Sequence, residues 1–161
     1  MLVSSAFIAP KTALLAECRR RQQAKADTAR QAMEEAQASA NGASGAMEDK
    51  FESFREACQI QRDLFARQLD DTLSGLAVLT RLQAAHATAP PTVAGLGALV
   101  ETDQGGRFFL ALSLGPVPDP AGGAPWLVVS TGAPIGQALV GRRVGETFAF
   151  RGESHRVVAI G

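Results

Sequence analysis

The sequence predicts an α+β fold in which an N-terminal antiparallel helical hairpin, a coiled coil, precedes a small sheet domain with one short helix. Three observations carry that expectation. Pro10 and Pro90 bracket 79 residues without proline, with Gly42, Gly45 and Gly75 the sole glycines and Ile60 and Val78 the sole aliphatic β-branched residues. Ala, Leu, Gln, Glu, Lys and Arg dominate there, the types that lose least on entering a helix. From Pro91 onward the chain holds 13 glycines, six prolines and eleven Val or Ile residues, the composition of short strands and turns. Finally, Ser39-Ala40-Asn41-Gly42-Ala43-Ser44-Gly45 interrupts the helical half with residues that close helices and tolerate turns. The expected domains are 1–89, a hairpin with its tip near 41–47, and 92–161.

The first arm, from about Lys11 to Ala40, would be roughly 45 Å long at ~1.5 Å per residue. Leu15, Cys18, Gln22, Ala26, Ala29, Met33, Ala36 and Ala40 recur along it at three- and four-residue steps, a seam of mostly small side chains. The second arm repeats the spacing with large ones: Met47, Phe51, Phe54, Cys58, Gln61, Phe65, Leu69, Thr72, Leu76 and Leu79. Folding at the tip sets Ala29 against Phe54, Ala26 against Cys58 and Cys18 against Phe65, with Gln22 and Gln61 sharing one polar layer that fixes register. A dimerisation coiled coil would show the same periodicity. The short break containing glycine favours an intramolecular pair and a monomer.

After the linker Ala87-Thr88-Ala89-Pro90-Pro91, strands are expected near Ala94 to Thr102 and Arg107 to Leu114, joined by the turn Gln104-Gly105-Gly106. A Pro/Gly loop from Gly115 to Pro125 leads to a strand at Trp126 to Ser130. Pro134 opens a short helix that runs to Val140 and ends at Gly141. Two last strands, Thr147 to Phe150 and His155 to Ile160, pair across Arg151-Gly152-Glu153-Ser154.

Charge and motif content exclude several function classes. The 16 basic and 16 acidic residues divide evenly, 11 of each before Pro90 and five of each after it, so neither half is a basic nucleic-acid clamp. The opening MLVSSAFIAP lacks the basic flank and the long apolar run of a signal or membrane helix. Cys18 and Cys58 fit no metal or disulfide framework, which points to a reducing, cytoplasmic setting. Both fall on seam positions, where packing is the expected role. His86 and His155 have no acid or cysteine at ligand spacing and read as solvated polar residues. No nucleophile elbow, phosphate loop or complete dinucleotide motif is present, so no self-contained enzyme, bound metal or cofactor is expected. At the tip, Glu48 and Asp49 are followed one turn later by Glu52, with Glu34 and Glu35 on the other arm. Acids in a first helical turn favour the macrodipole. Carboxylates at the end of a rigid arm can also help hold Mg²⁺ inside a partner's site.

The run Ser130-Thr131-Gly132-Ala133-Pro134-Ile135-Gly136-Gln137-Ala138-Leu139-Val140-Gly141-Arg142-Arg143-Val144-Gly145-Glu146 resembles the signature of the Gre transcription factors. In that family a helix led by Ser-Pro runs into Ala-Leu-Leu-Gly-Lys-Lys-Val-Gly-Asp, and a helical hairpin precedes the sheet domain as it does here. The resemblance covers nearly the whole chain in element order. It implies an FKBP-like C-terminal domain docked on bacterial RNA polymerase at the rim of the secondary channel. The hairpin would enter that channel, and tip acids would assist the polymerase's own Mg²⁺ in cleaving backtracked RNA. It also implies that no direct sequence-specific nucleic-acid contact is needed. By this resemblance Ile135, Gln137, Arg142 and Arg143 are candidates for polymerase docking, and Glu48 and Asp49 for tip acids.

The tip departs from the family pattern, which is like Glu-Asn-Ala-Asp/Glu-Tyr. Here Gly45-Ala46-Met47-Glu48-Asp49-Lys50-Phe51 offers Phe51 for the aromatic, places Lys50 where the family has an acid, and lacks the upstream acid. That favours an elongation regulator which occupies the channel over one which stimulates cleavage. The alternative from another class is a coiled-coil dimer or scaffold bearing an FKBP-like interaction module. A prolyl isomerase would rest on the implied fold alone. Phe108, Phe109, Trp126, Phe148 and Phe150 alternate as sheet-core residues rather than lining a pocket.

Overall fold

The computed structural model describes residues 5–42, 48–86 and 91–161, leaving out the side chains of 5–9, 48, 49, 51 and 86. Helices α1 (Ser5–Gly42) and α2 (Glu48–His86) are followed by β1 (Leu99–Thr102), β2 (Arg107–Ala111), β3 (Gly115–Val117), β4 (Trp126–Ser130), α3 (Pro134–Leu139), β5 (Thr147–Phe150) and β6 (Glu153–Ile160). This is the α+β arrangement expected from composition. The chain forms two compact units, Met1–Arg19 with Val78–Gly161, and Arg20–Ala77. Among the described residues no helix is long and apolar enough to cross a membrane.

The unit Arg20–Ala77 is an antiparallel helix pair. On α1 it buries Gln22, Ala26, Ala29, Ala36 and Ala40, the expected small-residue seam. On α2 Cys58 is buried, while Arg62, Phe65, Leu69, Thr72 and Leu76 are half-buried at heptad spacing. The expected Gln22–Gln61 layer does not form. The Gln22 amide donates to the Thr72 carbonyl at 3.1 Å, Gln61 is exposed, and Arg62 takes the inward position and donates to Gln37 at 2.8 Å. An arginine stem can lie along a seam while its head stays polar-bound. Ala29 likewise shares a groove with Phe65, whereas Phe54, its expected partner, is 51% exposed. Both pairings move by eleven residues, from Gln61 to Thr72 and from Phe54 to Phe65, which is about three helical turns. Such a shift returns the same face of α2 to the seam, so periodicity cannot distinguish the two registers.

Two helix boundaries also differ from expectation. Helix α1 continues through Ser39, Asn41 and Gly42, because burial of Ala36 and Ala40 outweighs the ~1 kcal/mol that a helical glycine costs. Pro10 lies inside the helix rather than before it. It forfeits one bond near an end where the first four N–H groups have no helical acceptor. Most of the expected tip, including Gly45, Ala46 and Met47, lies outside the described residues, as do the side chains of Phe51 and His86.

In the other unit a six-stranded sheet has the order β3-β4-β2-β1-β6-β5. Its β2–β4 pair is parallel and every other neighbouring pair is antiparallel. One face packs on Leu14, Leu15 and Cys18 of α1 and Leu79 of α2, with Leu99, Phe109, Trp126 and Val128 beneath them. Cys18 therefore belongs to the sheet core and not to a layer with Phe65. The other face packs on α3 through Ile135 and Leu139, above Val100, Leu110, Val129, Phe148 and Val157. Adjacent Phe108 and Phe109 fall on opposite faces, as strand alternation requires.

The Gly115 to Pro125 segment, expected as loop, contains β3. Pro116 is tolerated because β3 is an edge strand that pairs only with β4. The expected strand from Ala94 forms only from Leu99, after a turn at Gly97 (φ 88°) whose missing Cβ leaves room for Leu82. Strands β5 and β6 join through two residues rather than four, Arg151 (φ 52°) and Gly152 (φ 79°), the paired left-handed conformation of a tight hairpin. His155 is not simply solvated. Its ring stacks on Phe148 at 5.3 Å between centroids.

Candidate functional site

The residues singled out from Ser130 to Glu146 form one continuous unit at the end of β4. Its backbone enters α3 through Ala133, whose N–H reaches the Ser130 carbonyl and hydroxyl, both at 3.2 Å. Pro134 follows at the start of the helix, where its missing N–H costs nothing. Gly136 is buried, and a Cβ there would collide with the Ser130 carbonyl and the Thr131 Cα. Helix α3 can thus lie directly on the end of β4. The sequence signal was a glycine inside a short helical stretch, which usually has a packing reason.

Beyond α3 the chain is held from two sides. Gly141 (φ 84°) donates to the Ala94 carbonyl at 2.8 Å, and Ala94 donates back to the Arg142 carbonyl at 2.8 Å. Gly145 (φ 91°) donates to Val157, and Val157 donates to Glu146, at 2.8 and 2.9 Å. The Glu146 carboxylate accepts the Arg143 N–H at 2.7 Å, closing the turn. The Arg142 side chain donates to the Ala138 carbonyl at 3.2 Å, where a cation also suits the helix C-terminus.

These bonds sort the docking candidates. Gln137 and Arg143 are exposed, and Arg142 is half-buried against α3. Ile135 is 7% exposed and packs in the sheet core, so it supports the surface from below and is not itself a surface contact. Val140 and Val144, which sequence reasoning passed over, are 44% and 57% exposed. The connection from α3 to β5 therefore presents apolar and basic side chains together.

Glu48 opens α2 and Asp49 follows it in the first turn, but their side chains lie outside the described residues. Glu34, Glu35 and Glu52 are exposed. Among the described residues no group of three or more His, Cys, Asp or Glu side chains is placed to hold a metal ion.

Two polar features were missed altogether. Arg107 lies over the Trp126 ring at 4.0 Å and donates to Glu101 at 3.1 Å, Asp119 at 2.7 Å and the Ala124 carbonyl at 2.5 Å. Burial opposes ionisation of Asp119. The Ala121 N–H and the Arg107 guanidinium outweigh it and hold the carboxyl below the usual carboxylate range. The Trp126 indole N–H, buried without a hydrogen bond of good geometry, adds a weak pull in the same direction. Gly123 fits against this cluster, where a Cβ would meet Asp119 and Arg107. The second feature is Lys11, whose buried ammonium donates to the Gly161 carbonyl at 3.3 Å. Desolvation pulls its pKa down.

No protein-family model matches the chain, and no curated protein matches it. Two solved structures are similar to it along most of its length. One is the crystal structure of the GreA factor homolog 1 (Gfh1) protein of Thermus thermophilus, 20% identical with a TM-score of 0.33, covering 90% of this chain and 95% of that chain. The other is a structure of the transcription factor Gfh1, 21% identical with a TM-score of 0.31, covering 89% and 93% respectively.

Proposed function

We propose that this chain is a bacterial, cytoplasmic regulator of transcription elongation that binds RNA polymerase and inserts its helical hairpin into the polymerase secondary channel. The observation that carries the reading is the Ser130 to Glu146 run. Its resemblance to the Gre signature falls on one structural unit, the β4 end, α3 and the turn secured by Ala94, Val157 and Glu146, rather than on scattered positions. Gln137, Val140, Arg143 and Val144 expose a mixed apolar and basic surface there, which suits a protein partner. The even charge balance suits one too.

In this reading the hairpin is a spacer that carries Glu48 and Asp49 toward the polymerase's own Mg²⁺, and the chain needs no cofactor of its own. Lys50 adds a positive charge beside these acids. It weakens their pull on a cation, so the hairpin occupies the channel without driving cleavage.

Binding of the purified chain to core RNA polymerase tests the reading, beside a Glu48→Ala/Asp49→Ala variant and with RNA cleavage followed on stalled complexes. Micromolar or tighter binding by both proteins, with no gain in cleavage from either, is expected. Absence of binding at micromolar concentration refutes the reading. Tip-dependent cleavage would keep the partner and overturn the non-cleaving role.

A further inference from the structure

The helix pair of Arg20–Ala77 leaves a groove of about 560 Å³ open along one side, where Ala24, Ala29 and Ala32 of α1 face Phe65 of α2. Small residues opposite a single large one leave space that a well-packed seam would fill. Two opposite charges flank the groove, Lys25 on α1 and Asp71 on α2. Neither makes an ion pair among the described residues. On the same side of α2, four-residue steps from Gln68 in the groove wall lead back to Leu64 and Ile60. These are 52% and 69% exposed, so the apolar surface extends beyond the groove.

We propose that this face is covered by the same face of a second copy of the chain, with the two-fold axis parallel to the helices. The argument is charge and size complementarity at fixed levels. In the register set by Gln22 with Thr72 and Gln37 with Arg62, Lys25 stands level with Asp71 and Ala32 with Leu64. A two-fold axis along the pair lays α1 of one copy on α2 of the other, level for level. Each Lys25 then meets Asp71 of the second copy, and each Leu64 meets a small Ala32. An axis across the helices would instead lay α1 on α1 and α2 on α2, so that no Lys25 meets an Asp71 of the second copy. The charge pattern selects the first arrangement. The intramolecular seam expected of a monomer remains intact, and this association is additional and dependent on concentration.

Sedimentation velocity over a concentration series up to roughly 0.2 mM tests it. Wild type is expected to pass from monomer to dimer, and Leu64→Glu to remain monomeric. Lys25→Glu alone and Asp71→Lys alone each place two like-charge pairs in the homodimer, weakening it by about tenfold or more. An equimolar mixture of those two variants restores both opposite-charge pairs and recovers dimer, which also shows that each is folded. A wild type that stays monomeric, a dimer that ignores both charge changes, or a mixture that does not recover overturns the proposal. No polymerase enters the measurement, so its outcome is separable from that of the proposed function.

Discussion

Replacing Gly136 by alanine sets two opposing effects against each other. Glycine inside a helix is worse than alanine by ~1 kcal/mol, so propensity alone predicts stabilisation. The structure predicts the reverse. A Cβ at this position would overlap the Ser130 carbonyl oxygen and press on the Ser130 carbonyl carbon and the Thr131 Cα, all backbone atoms that cannot rotate away. Relief requires lifting α3 off β4, which disturbs Ile135 and Leu139 in the core beneath. Overpacking of that kind costs up to ~3 kcal/mol. Less the propensity gain, the net loss is about 2 kcal/mol, or roughly 4–8 °C in Tm for a chain of this length. Trp126 is the chain's one tryptophan and lies in the sheet core, so its fluorescence during a thermal melt reports this unit alone. Gly132→Ala is the control, since a Cβ there meets nothing within 4 Å and little change is expected. A Gly136→Ala protein as stable as wild type, or more so, would refute the close approach of α3 to β4.

Two predictions concern the buried charges. Asp119→Asn is expected to destabilise the fold by ~1–3 kcal/mol at neutral pH, by leaving the Arg107 guanidinium with one charged partner fewer. The folded-state pKa of Asp119 lies below its ordinary 3.8, so the stability it contributes is present above that value and is lost as pH falls through the folded pKa. Acid-denaturation curves of wild type and variant should therefore converge at low pH, and a difference independent of pH would exclude the charge as its source. For Lys11 the slope with pH has the same sign, but there it is the charged form that the fold disfavours, through desolvation. Its folded pKa is lowered from 10.5, so the unfolded chain holds the proton more strongly, and wild-type stability rises with pH between the two values. Urea denaturation from pH 7 to about 10.5 should show wild type gaining on Lys11→Met across that range, and a constant difference would place the ammonium in water.

The fold was legible wherever a local pattern decides the outcome. Proline placement separated the helical half from the sheet half, and the small-residue seam of α1 is the face that is buried. Hairpin register was not legible, for a physical reason. Three turns span nearly eleven residues, so Gln61 and Thr72 lie on almost the same face of α2 as seen from Gln22. Nothing in the seam spacing says which one it meets. The decision rests on how far α1 continues past Ser39, where the burial of Ala36 and Ala40 overrides the intrinsic preference of Asn41 and Gly42 for a turn. Strand β3 escaped notice because Gly115 and Pro116 mark a break in most settings. Only its place at the sheet edge makes a missing N–H harmless.

The candidate site divides along the same line. The α3 unit could be found because its parts are consecutive: proline at the start, glycines at the two left-handed positions, and a glutamate three residues beyond the N–H that it closes. Burial sorts the rest of the run. Ile135 packs on the sheet with Leu139, as a helix seated there requires, which makes it a support and not also the docking contact, while Val140 and Val144 face out. The polar clusters could not be found at all. Arg107 draws together residues six, twelve and seventeen positions away, and Lys11 reaches a residue 150 positions away. In sequence the first is a polar residue opening a strand and the second a lysine in a helix, both ordinary in exposed positions. Their burial is set by strand pairing and by the packing of α1 on the sheet, so these charges become costly, and hence specific in their partners, only after the long-range contacts exist.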